Sequence, residues 1–171
     1  MTQELVGALD AALDGPASGA AAAEGAVVVR LGGTRYGIPM ESVAEVGRMP
    51  RLTRVPGVPD WMAGVANFRG RILPVVDLRP LLDAAQVSPG TAARLLVLSK
   101  DGTGLGLLTE GVEGTAEIDP DSIVPPPGTL SAEATALLAG QITDRRGPLA
   151  LLDVTAVFRL RDRLPRARRT A

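Results

Sequence analysis

Apolar residues recur in short runs from residue 26 onward, and glycine, proline or aspartate separates most of these runs. Short aliphatic and β-branched runs with such boundaries are typical of an all-β domain. Gly32-Gly33 and Asp101-Gly102 each join two runs, and both dipeptides predict a tight hairpin turn. Strands are predicted over residues 27–31, 34–38, 61–67, 71–77, 91–100, 103–108, 137–143 and 149–152.

Short helical segments are predicted between the strands. Residues 40–45 form one helical turn at most, and residues 78–82 form a short helix with Pro80 in its first turn. Asp153 precedes a closing helix through Phe158, since an aspartate side chain can accept hydrogen bonds from the first free amides of a helix. These helices are brief, so the strands determine the predicted fold class.

The second half of the chain repeats the first. With Val28 placed on Val97, turn glycines and apolar positions coincide without a gap, and the match resumes after a short insertion in the proline-rich loop. Identical pairs include Gly33 with Gly102, Glu41 with Glu110, Gly64 with Gly140, Arg69 with Arg145 and Asp77 with Asp153. We therefore expect two similar β-lobes. Because each lobe is too small to bury enough apolar surface alone, the two should share one core, with a groove at their seam.

The two ends of the chain differ in composition from its centre. Residues 4–13 have apolar positions near helical spacing and could form a short amphipathic helix, or residues 1–25 could be a disordered leader. Residues 161–171 form an arginine-rich tail. This tail could contact phosphate or anionic lipid, or it could be a solvated terminus that balances an acidic body. The arginines at this end are Arg159, Arg161, Arg163, Arg166, Arg168 and Arg169.

Composition excludes several classes of function. The chain has no Cys and no His, which removes disulfides, thiolate chemistry, Ser-His-Asp catalysis and most zinc sites. Aromatic residues make up 2% of the chain, too few for the stacking surfaces that bind single-stranded nucleic acid. A net charge of −1 provides no field that attracts DNA or an acidic membrane. With no signal or membrane-spanning segment in the sequence, a cytoplasmic protein that does not insert into membranes is expected.

The remaining candidates for chemistry have simpler explanations. The glycine-rich residues 32–37 and 102–106 lack the Lys-Ser/Thr of a phosphate-binding loop, and the acidic residues 117–121 lack the spacing of a calcium loop. Asp77 and Asp153 could be a catalytic carboxylate pair, but both stand at equivalent helix starts, where capping is a sufficient role. No enzymatic activity and no cofactor are therefore expected.

Glu45 and Arg69 each flank a predicted strand of the first half. If these strands pair, the two side chains could meet as a partly buried ion pair, because a guanidinium can bind a carboxylate through two hydrogen bonds. The alternative is two unrelated surface charges.

Several segments of the chain resemble the CheW family of chemotaxis coupling proteins, and the resemblance extends in order and spacing over residues 26–160. Its most specific part is the run Gly64-Val65-Ala66-Asn67-Phe68-Arg69-Gly70, followed by Leu73-Pro74-Val75-Val76-Asp77-Leu78. Residues 36–38 and 43–46 also match, and residues 107–112 and 148–158 look like the corresponding parts of the second half. The long leader, the tail and Phe68, which stands where leucine is usual, depart from the family pattern.

The resemblance implies an all-β fold of two similar five-stranded β-barrel lobes that share a hydrophobic core, with short helices at the lobe ends. Lobe 1 would cover about residues 34–90 and lobe 2 about residues 91–150, with strands and a helix crossing near both ends. The resemblance also implies a non-catalytic adaptor without cofactors, located in the cytoplasm at receptor arrays near the inner membrane.

Such an adaptor binds the cytoplasmic tip of methyl-accepting chemoreceptors and the regulatory domain of a CheA-type histidine kinase, and it could also self-associate in arrays. The alternative is a CheW-like scaffold of a pilus, gliding or other non-flagellar signalling system. Pairing of Arg69 with Glu45 is expected in the family, and Gly64 would allow a close backbone approach that a Cβ would obstruct. The residues implied to bind receptor or kinase are Val43, Glu45, Gly64, Asn67 and Arg69.

Overall fold

Eleven β-strands dominate the part of the chain that the computed structural model describes, residues 24–88 and 90–164. Two short α-helices and two 3-10 turns complete the regular elements of these residues. The strands are β1 (Glu24–Leu31), β2 (Thr34–Pro39), β3 (Val43–Arg48), β4 (Leu52–Thr53), β5 (Met62–Phe68), β6 (Arg71–Val76), β7 (Arg94–Lys100), β8 (Thr103–Thr109), β9 (Gly111–Ile118), β10 (Leu138–Asp144) and β11 (Gly147–Leu152). The helices are α1 (Ala132–Ala136) and α2 (Val154–Asp162), and the 3-10 turns are Met40–Ser42 and Pro120–Ser122.

The strands form two mixed sheets. The first sheet has five strands in the order β10-β11-β2-β1-β9, and the second has six in the order β3-β7-β8-β6-β5-β4. Neighbouring strands are antiparallel except at one junction in each sheet, where β11 runs parallel to β2 and β6 runs parallel to β8. Among the described strands neither sheet closes on itself through backbone pairing, so the expected five-stranded barrels are not confirmed.

The internal repeat is visible in the order of the strands. The β1–β2 hairpin corresponds to β7–β8, and the β5–β6 hairpin corresponds to β10–β11, so the two sheets contain equivalent strands in equivalent places. The parallel junctions follow the same correspondence, since Leu151 lies beside Gly37 and Val75 lies beside Gly106. Each sheet therefore combines a central hairpin from one half of the chain with an outer hairpin from the other half.

Strands β1 and β7 are apolar on both faces because each lies between two clusters of buried residues. Val27 of β1 and Leu96 of β7 belong to one central cluster, to which both sheets contribute. Val28 belongs to a second cluster within the first sheet, and Leu95 belongs to a third within the second sheet. The runs therefore lack the polar alternation of half-exposed strands, and the central cluster is a core common to both sheets.

The predicted helical turn over residues 40–45 is only partly correct. Met40–Ser42 forms a 3-10 turn, but the chain enters β3 at Val43. β3 pairs with β7 from Val43 onward, and a register shift between Val43 and Glu45 marks a bulge in this pairing. A bulge obscures the alternation by which a strand is recognised in sequence, and the prediction therefore stopped short of β3.

The predicted helix over residues 78–82 is wrong, because this segment forms consecutive hydrogen-bonded turns and no regular helix. The Asp77 carboxylate accepts a hydrogen bond from the Arg79 amide at 3.1 Å and also binds the Arg79 side chain, so it does not cap a helix. The equivalent residue Asp153 does cap α2, since its carboxylate accepts from the Ala156 amide at 3.1 Å.

Both ends of the chain lie outside the described residues. These ends include the predicted amphipathic segment over residues 4–13 and the tail arginines Arg166, Arg168 and Arg169. Between residues 24 and 164, in the part described, no helix has the length and apolar character that crossing a bilayer requires.

Candidate partner-binding site

The tip of the β5–β6 hairpin carries two of the five predicted site residues. Arg69 and Gly70 form its two-residue turn with φ values of 50° and 77°, the geometry of a type I′ turn. The Asn67 side chain accepts a hydrogen bond from the Gly70 amide at 3.0 Å. Asn67 therefore stabilises the turn that presents Arg69, while the residue itself is exposed.

Arg69 and Glu45 meet as an ion pair, as the strands' predicted proximity suggested. Arg69 Nη2 lies 2.5 Å from Glu45 Oε1, and the exposed fractions of the two side chains are 75% and 31%. The pair is thus not buried, and most of the guanidinium surface faces solvent. The Arg69 guanidinium also lies 5.7 Å from the centroid of the Phe68 ring, within range of a cation–π interaction.

Phe68 brings this hairpin tip against β3, although β3 lies at the far edge of the same sheet. A Cβ built on Gly47 would lie 2.7 Å from the Phe68 ring, so the ring packs directly on the backbone of β3. The second sheet is therefore curved strongly enough for side chains at the end of β5 to contact β3, the edge strand on its opposite side. Phe68 and the Glu45–Arg69 pair make this connection without a backbone ladder.

The other two predicted site residues, Val43 and Gly64, do not take part in the Glu45–Arg69 contact. Val43 is half-buried at the start of β3 and packs against the central cluster. Gly64 is buried, has φ of +146°, and lies so close to β4 that a Cβ there would be 2.5 Å from the Thr53 carbonyl oxygen. The close backbone approach expected at Gly64 is therefore made within this chain. The structure groups Glu45, Asn67 and Arg69 at one end of the sheet and gives Gly64 a contact of its own.

Replacing Arg69 by alanine is expected to lower the free energy of unfolding by less than about 1 kcal/mol, since exposed ion pairs contribute little to stability. Urea denaturation of the wild type, Arg69→Ala and Glu45→Gln measures this effect. A loss above about 2 kcal/mol in either variant would contradict the exposed character of the pair.

A buried arginine that sequence analysis did not single out lies next to Asp77. Arg79 Nε and Nη2 donate to the two Asp77 carboxylate oxygens at 2.9 and 2.8 Å. Arg79 Nη1 lies 3.4 Å from Glu110 Oε2 and also donates to the Val87 carbonyl. The hydrogen bonds to Asp77 raise the pKa of Arg79 above its usual value, so the guanidinium is a permanent charge at this site.

Glu110 extends this cluster to the other sheet. Its carboxylate accepts hydrogen bonds from the Gly32 amide at 2.5 Å and the Gly33 amide at 3.2 Å, in the β1–β2 turn. Asp77 follows β6 of the second sheet, whereas β1 and β2 belong to the first. The cluster of Asp77, Arg79 and Glu110 therefore ties the two sheets together. The repeat aligned Glu110 with Glu41, but nothing in the sequence marked Arg79 as its partner.

A second ionic cluster lies within the first sheet. Arg35 donates to both carboxylate oxygens of Asp144 at 2.9 and 2.8 Å and to Glu113 at 3.1 Å. Glu113 also pairs with Arg30. The hydrogen bonds from Arg35 lower the pKa of Asp144 from 3.8 to about 2. β9 and the end of β10 are thus joined by Arg35, much as β3 and the β5–β6 tip are joined by Arg69.

Asp144 is expected to make stability depend on pH in the acid range. Because its folded pKa lies below the unfolded value, its contribution is fully present above pH 3.8 and is lost as the pH falls through about 2. After screening by solvent, Asp144→Asn should lower the free energy of unfolding by about 1 kcal/mol at pH 7 and by much less at pH 2. Urea denaturation of both proteins at the two pH values checks this. An equal loss at both would contradict the assignment.

The alternative of a catalytic carboxylate pair finds no support in the geometry. Asp77 is bound by Arg79, and Asp153 caps α2. In the acidic segment, the Asp119 side chain accepts from the Asp121 amide at 3.0 Å and so stabilises a 3-10 turn. Within residues 24–88 and 90–164, no group of three acidic side chains is placed to hold a metal ion.

Comparison with known proteins gives a consistent result. The family model described as "CheW-like domain" matches residues 25–162. Chemotaxis protein CheW of Klebsiella aerogenes is 30% identical over 128 residues, which are 75% of this chain and 77% of that protein. Protein FrzA of Myxococcus xanthus is 37% identical over 109 residues, 64% of this chain and 68% of that protein. Protein PilI of Pseudomonas aeruginosa is 39% identical over 94 residues, 54% of this chain and 52% of that protein.

A solved structure shares the fold. The crystal structure of the scaffolding protein TtCheW from Thermoanaerobacter tengcongensis superimposes with a TM-score of 0.68 at 26% sequence identity, covering 76% of this chain and 88% of that one. The family-model match, the Klebsiella CheW relative and the shared fold show that the chain belongs to the CheW-like domain family.

Proposed function

We propose that this chain is a non-catalytic adaptor that couples methyl-accepting chemoreceptors to a CheA-type histidine kinase in cytoplasmic signalling arrays. The observation that carries the proposal is the exposed but fixed Arg69. Its side chain is 75% exposed, yet the hairpin turn, Glu45 and the Phe68 ring hold it in one place. A charged side chain fixed in this way contributes orientation and specificity to a protein interface.

The other predicted site residues have supporting roles in this proposal. Asn67 maintains the turn, and Val43 offers a half-buried apolar contact on the strand that carries Glu45. Gly64 keeps β4 against β5. The proposed receptor- and kinase-binding region thus consists of one hairpin tip and the strand facing it.

The test is a binding titration with a receptor cytoplasmic fragment and with the regulatory domain of the kinase. Arg69→Ala should weaken binding to at least one of them by roughly tenfold, about 1.4 kcal/mol. Arg71→Ala is the matched control, because Arg71 is exposed on the same hairpin and should bind as the wild type does. Equal affinities of wild type and Arg69→Ala would refute the role of Arg69, and failure of the wild type to bind either partner would refute the adaptor function.

A second candidate is a CheW-like scaffold of a pilus, gliding or other non-flagellar system. It is supported by similarity to Protein FrzA, 37% identical over 109 residues, and to Protein PilI, 39% identical over 94 residues, alongside the 30% identity over 128 residues to the Klebsiella CheW. Co-purification from the native cell distinguishes the two candidates. Recovery of flagellar chemotaxis receptors supports the first, and recovery of receptors of a surface-motility system supports the second.

A further inference from the structure

Two arginines face each other across strands β3 and β7. Arg48 lies directly opposite Arg94 in the register, an arrangement of like charges that destabilises a sheet. Among the described residues, no carboxylate lies within 4.0 Å of either guanidinium. This part of the sheet therefore carries a positive charge that its own neighbours do not neutralise.

The Arg94 side chain is held in a defined orientation. Its Nη1 atom donates to the Thr91 carbonyl at 3.0 Å and to the Ala93 carbonyl at 2.8 Å. These two bonds occupy one nitrogen of the guanidinium. In the part of the chain described here, the other two nitrogens make no hydrogen bond to protein, and a guanidinium edge of this kind binds carboxylates well.

Two adjoining cavities with mixed polar and apolar linings extend from these arginines. Arg48 and Arg94 line a cavity of about 440 Å³, and a neighbouring cavity of about 620 Å³ contains Leu52 and Val55. Met49 lines both cavities, so the two are adjacent. We call this region the basic–apolar surface, defined as Arg48, Met49, Leu52, Arg54, Val55 and Arg94.

The charge balance at this surface favours an acidic ligand. Arg54, at the larger cavity, also has no carboxylate within 4.0 Å among the described residues. Two carboxylates line the same cavity, Asp60 and Asp77, and Asp77 is already bound by Arg79. Arg54 therefore shares its cavity with one uncommitted carboxylate, Asp60. Among the described residues, no carboxylate lines the cavity of Arg48 and Arg94.

We propose that the basic–apolar surface binds an acidic amphipathic peptide segment of a partner protein. Carboxylates of the segment pair with Arg48 and Arg94, and its apolar side chains occupy the cavity beside Met49 and Leu52. Docking of an amphipathic segment in an apolar groove, with charges setting its orientation, is a recurrent mode of peptide recognition. The binding of an acidic segment at this surface does not depend on the adaptor function. Only the identity of the partner protein that carries the segment rests on that proposed function.

The test uses two labelled peptides of equal length, designed as amphipathic helices with leucines on one face. One peptide carries glutamates on the other face, and the matched peptide carries lysines at the same positions. The acidic peptide should bind the full-length protein at least tenfold more tightly than the basic one. The double variant Arg48→Ala/Arg94→Ala should weaken acidic-peptide binding by about five- to tenfold, as expected for two solvent-exposed charge pairs.

Two further variants separate contact from folding. Val55→Asp, at a side chain that is 36% exposed, should weaken the acidic peptide while leaving the urea midpoint nearly unchanged. Arg145→Ala/Arg146→Ala removes two exposed arginines of the β10–β11 hairpin and should leave peptide binding as in the wild type. Equal affinity for the two peptides, or an unaltered affinity in the Arg48/Arg94 variant, would overturn the proposal.

The same variants can be titrated with the receptor fragment and the kinase domain. If the wild type binds one of these and the Arg48/Arg94 variant binds it less tightly, that protein carries the acidic segment. If the acidic peptide binds as expected while neither protein does, the result supports peptide binding at the basic–apolar surface and refutes the proposed adaptor function. A wild-type dimer that the Arg48/Arg94 variant dissociates, seen by sedimentation velocity, would make a second copy the occupant and overturn the proposal.

Discussion

Replacing Gly64 by valine is expected to lower the free energy of unfolding by about 3 kcal/mol or more. The backbone at Gly64 has φ of +146°, which a β-branched residue adopts only with strain, and the added Cβ would lie 2.5 Å from the Thr53 carbonyl oxygen. Relief of this clash requires β4 to separate from β5, where Val65 pairs with Thr53. Urea denaturation followed by circular dichroism measures the loss.

The repeat supplies a matched control for this substitution. Gly140 has φ of +157°, and a Cβ there would lie 2.8 Å from the Val124 carbonyl oxygen, so Gly140→Val should be destabilising to a similar degree. Gly128→Ala should be nearly neutral, because nothing lies within 4 Å of the added carbon. An unchanged urea midpoint for Gly64→Val would contradict the prediction. If the prediction holds, any loss of partner binding in this variant must first be corrected for its unfolded fraction.

Replacing Arg79 by leucine is expected to destabilise the protein by about 3–5 kcal/mol, the usual cost of removing one partner from a buried ion pair. The side chains of Asp77 and Glu110 are only 11% and 16% exposed, so both carboxylates would remain largely desolvated without their counter-ion. The loss should be measured by urea denaturation at pH 7.

Two variants test whether the charge or the geometry of Arg79 is responsible. Arg79→Lys keeps the charge but cannot bind Asp77 through two parallel hydrogen bonds, so it should lie between the wild type and Arg79→Leu. Asp77→Asn combined with Arg79→Leu should recover part of the stability, because one uncompensated charge is gone. Hydrogen exchange at the Gly32 and Gly33 amides should accelerate in Arg79→Leu. A loss of under 1 kcal/mol with unchanged exchange would contradict the proposed tie between the sheets.

The duplicated fold was predictable because glycine at a tight turn or bulge leaves a direct mark in the sequence. Gly33 and Gly102 marked the two central hairpins, and Gly64 matched Gly140 in two predicted strands, each of which the structure shows to carry a bulge at that glycine. The pairing between the halves was not predictable. The junction of β6 with β8 rests on two residue pairs, beginning at Val75 and Gly106, and no local pattern specifies a partner so distant in the chain.

In the candidate site, too, some features were predictable from the local sequence and contacts between distant residues were not. The pairing of Glu45 with Arg69 was one of two possibilities raised from the sequence, and the structure shows the pair as an exposed one. The tight turn at Arg69 depends on Gly70, whose φ of 77° is readily adopted by glycine. Arg35, however, finds Asp144 more than a hundred positions away, and ionic partners at such separations carry no spacing rule. Whether Val43 and Gly64 contact a receptor or kinase stays a prediction.

Each sheet contains a central hairpin from one half of the chain and an outer hairpin from the other half. This arrangement determines what happens when the two halves are separated. A single copy of the repeat would leave the edge of its central hairpin open, ready to accept a strand from a second molecule. Two half-length chains would thus complete one another as an arm-exchanged dimer, and the covalent connection between β6 and β7 makes that association unimolecular. Cleavage of this connection should yield fragments that fold only together, at a rate set by their concentration.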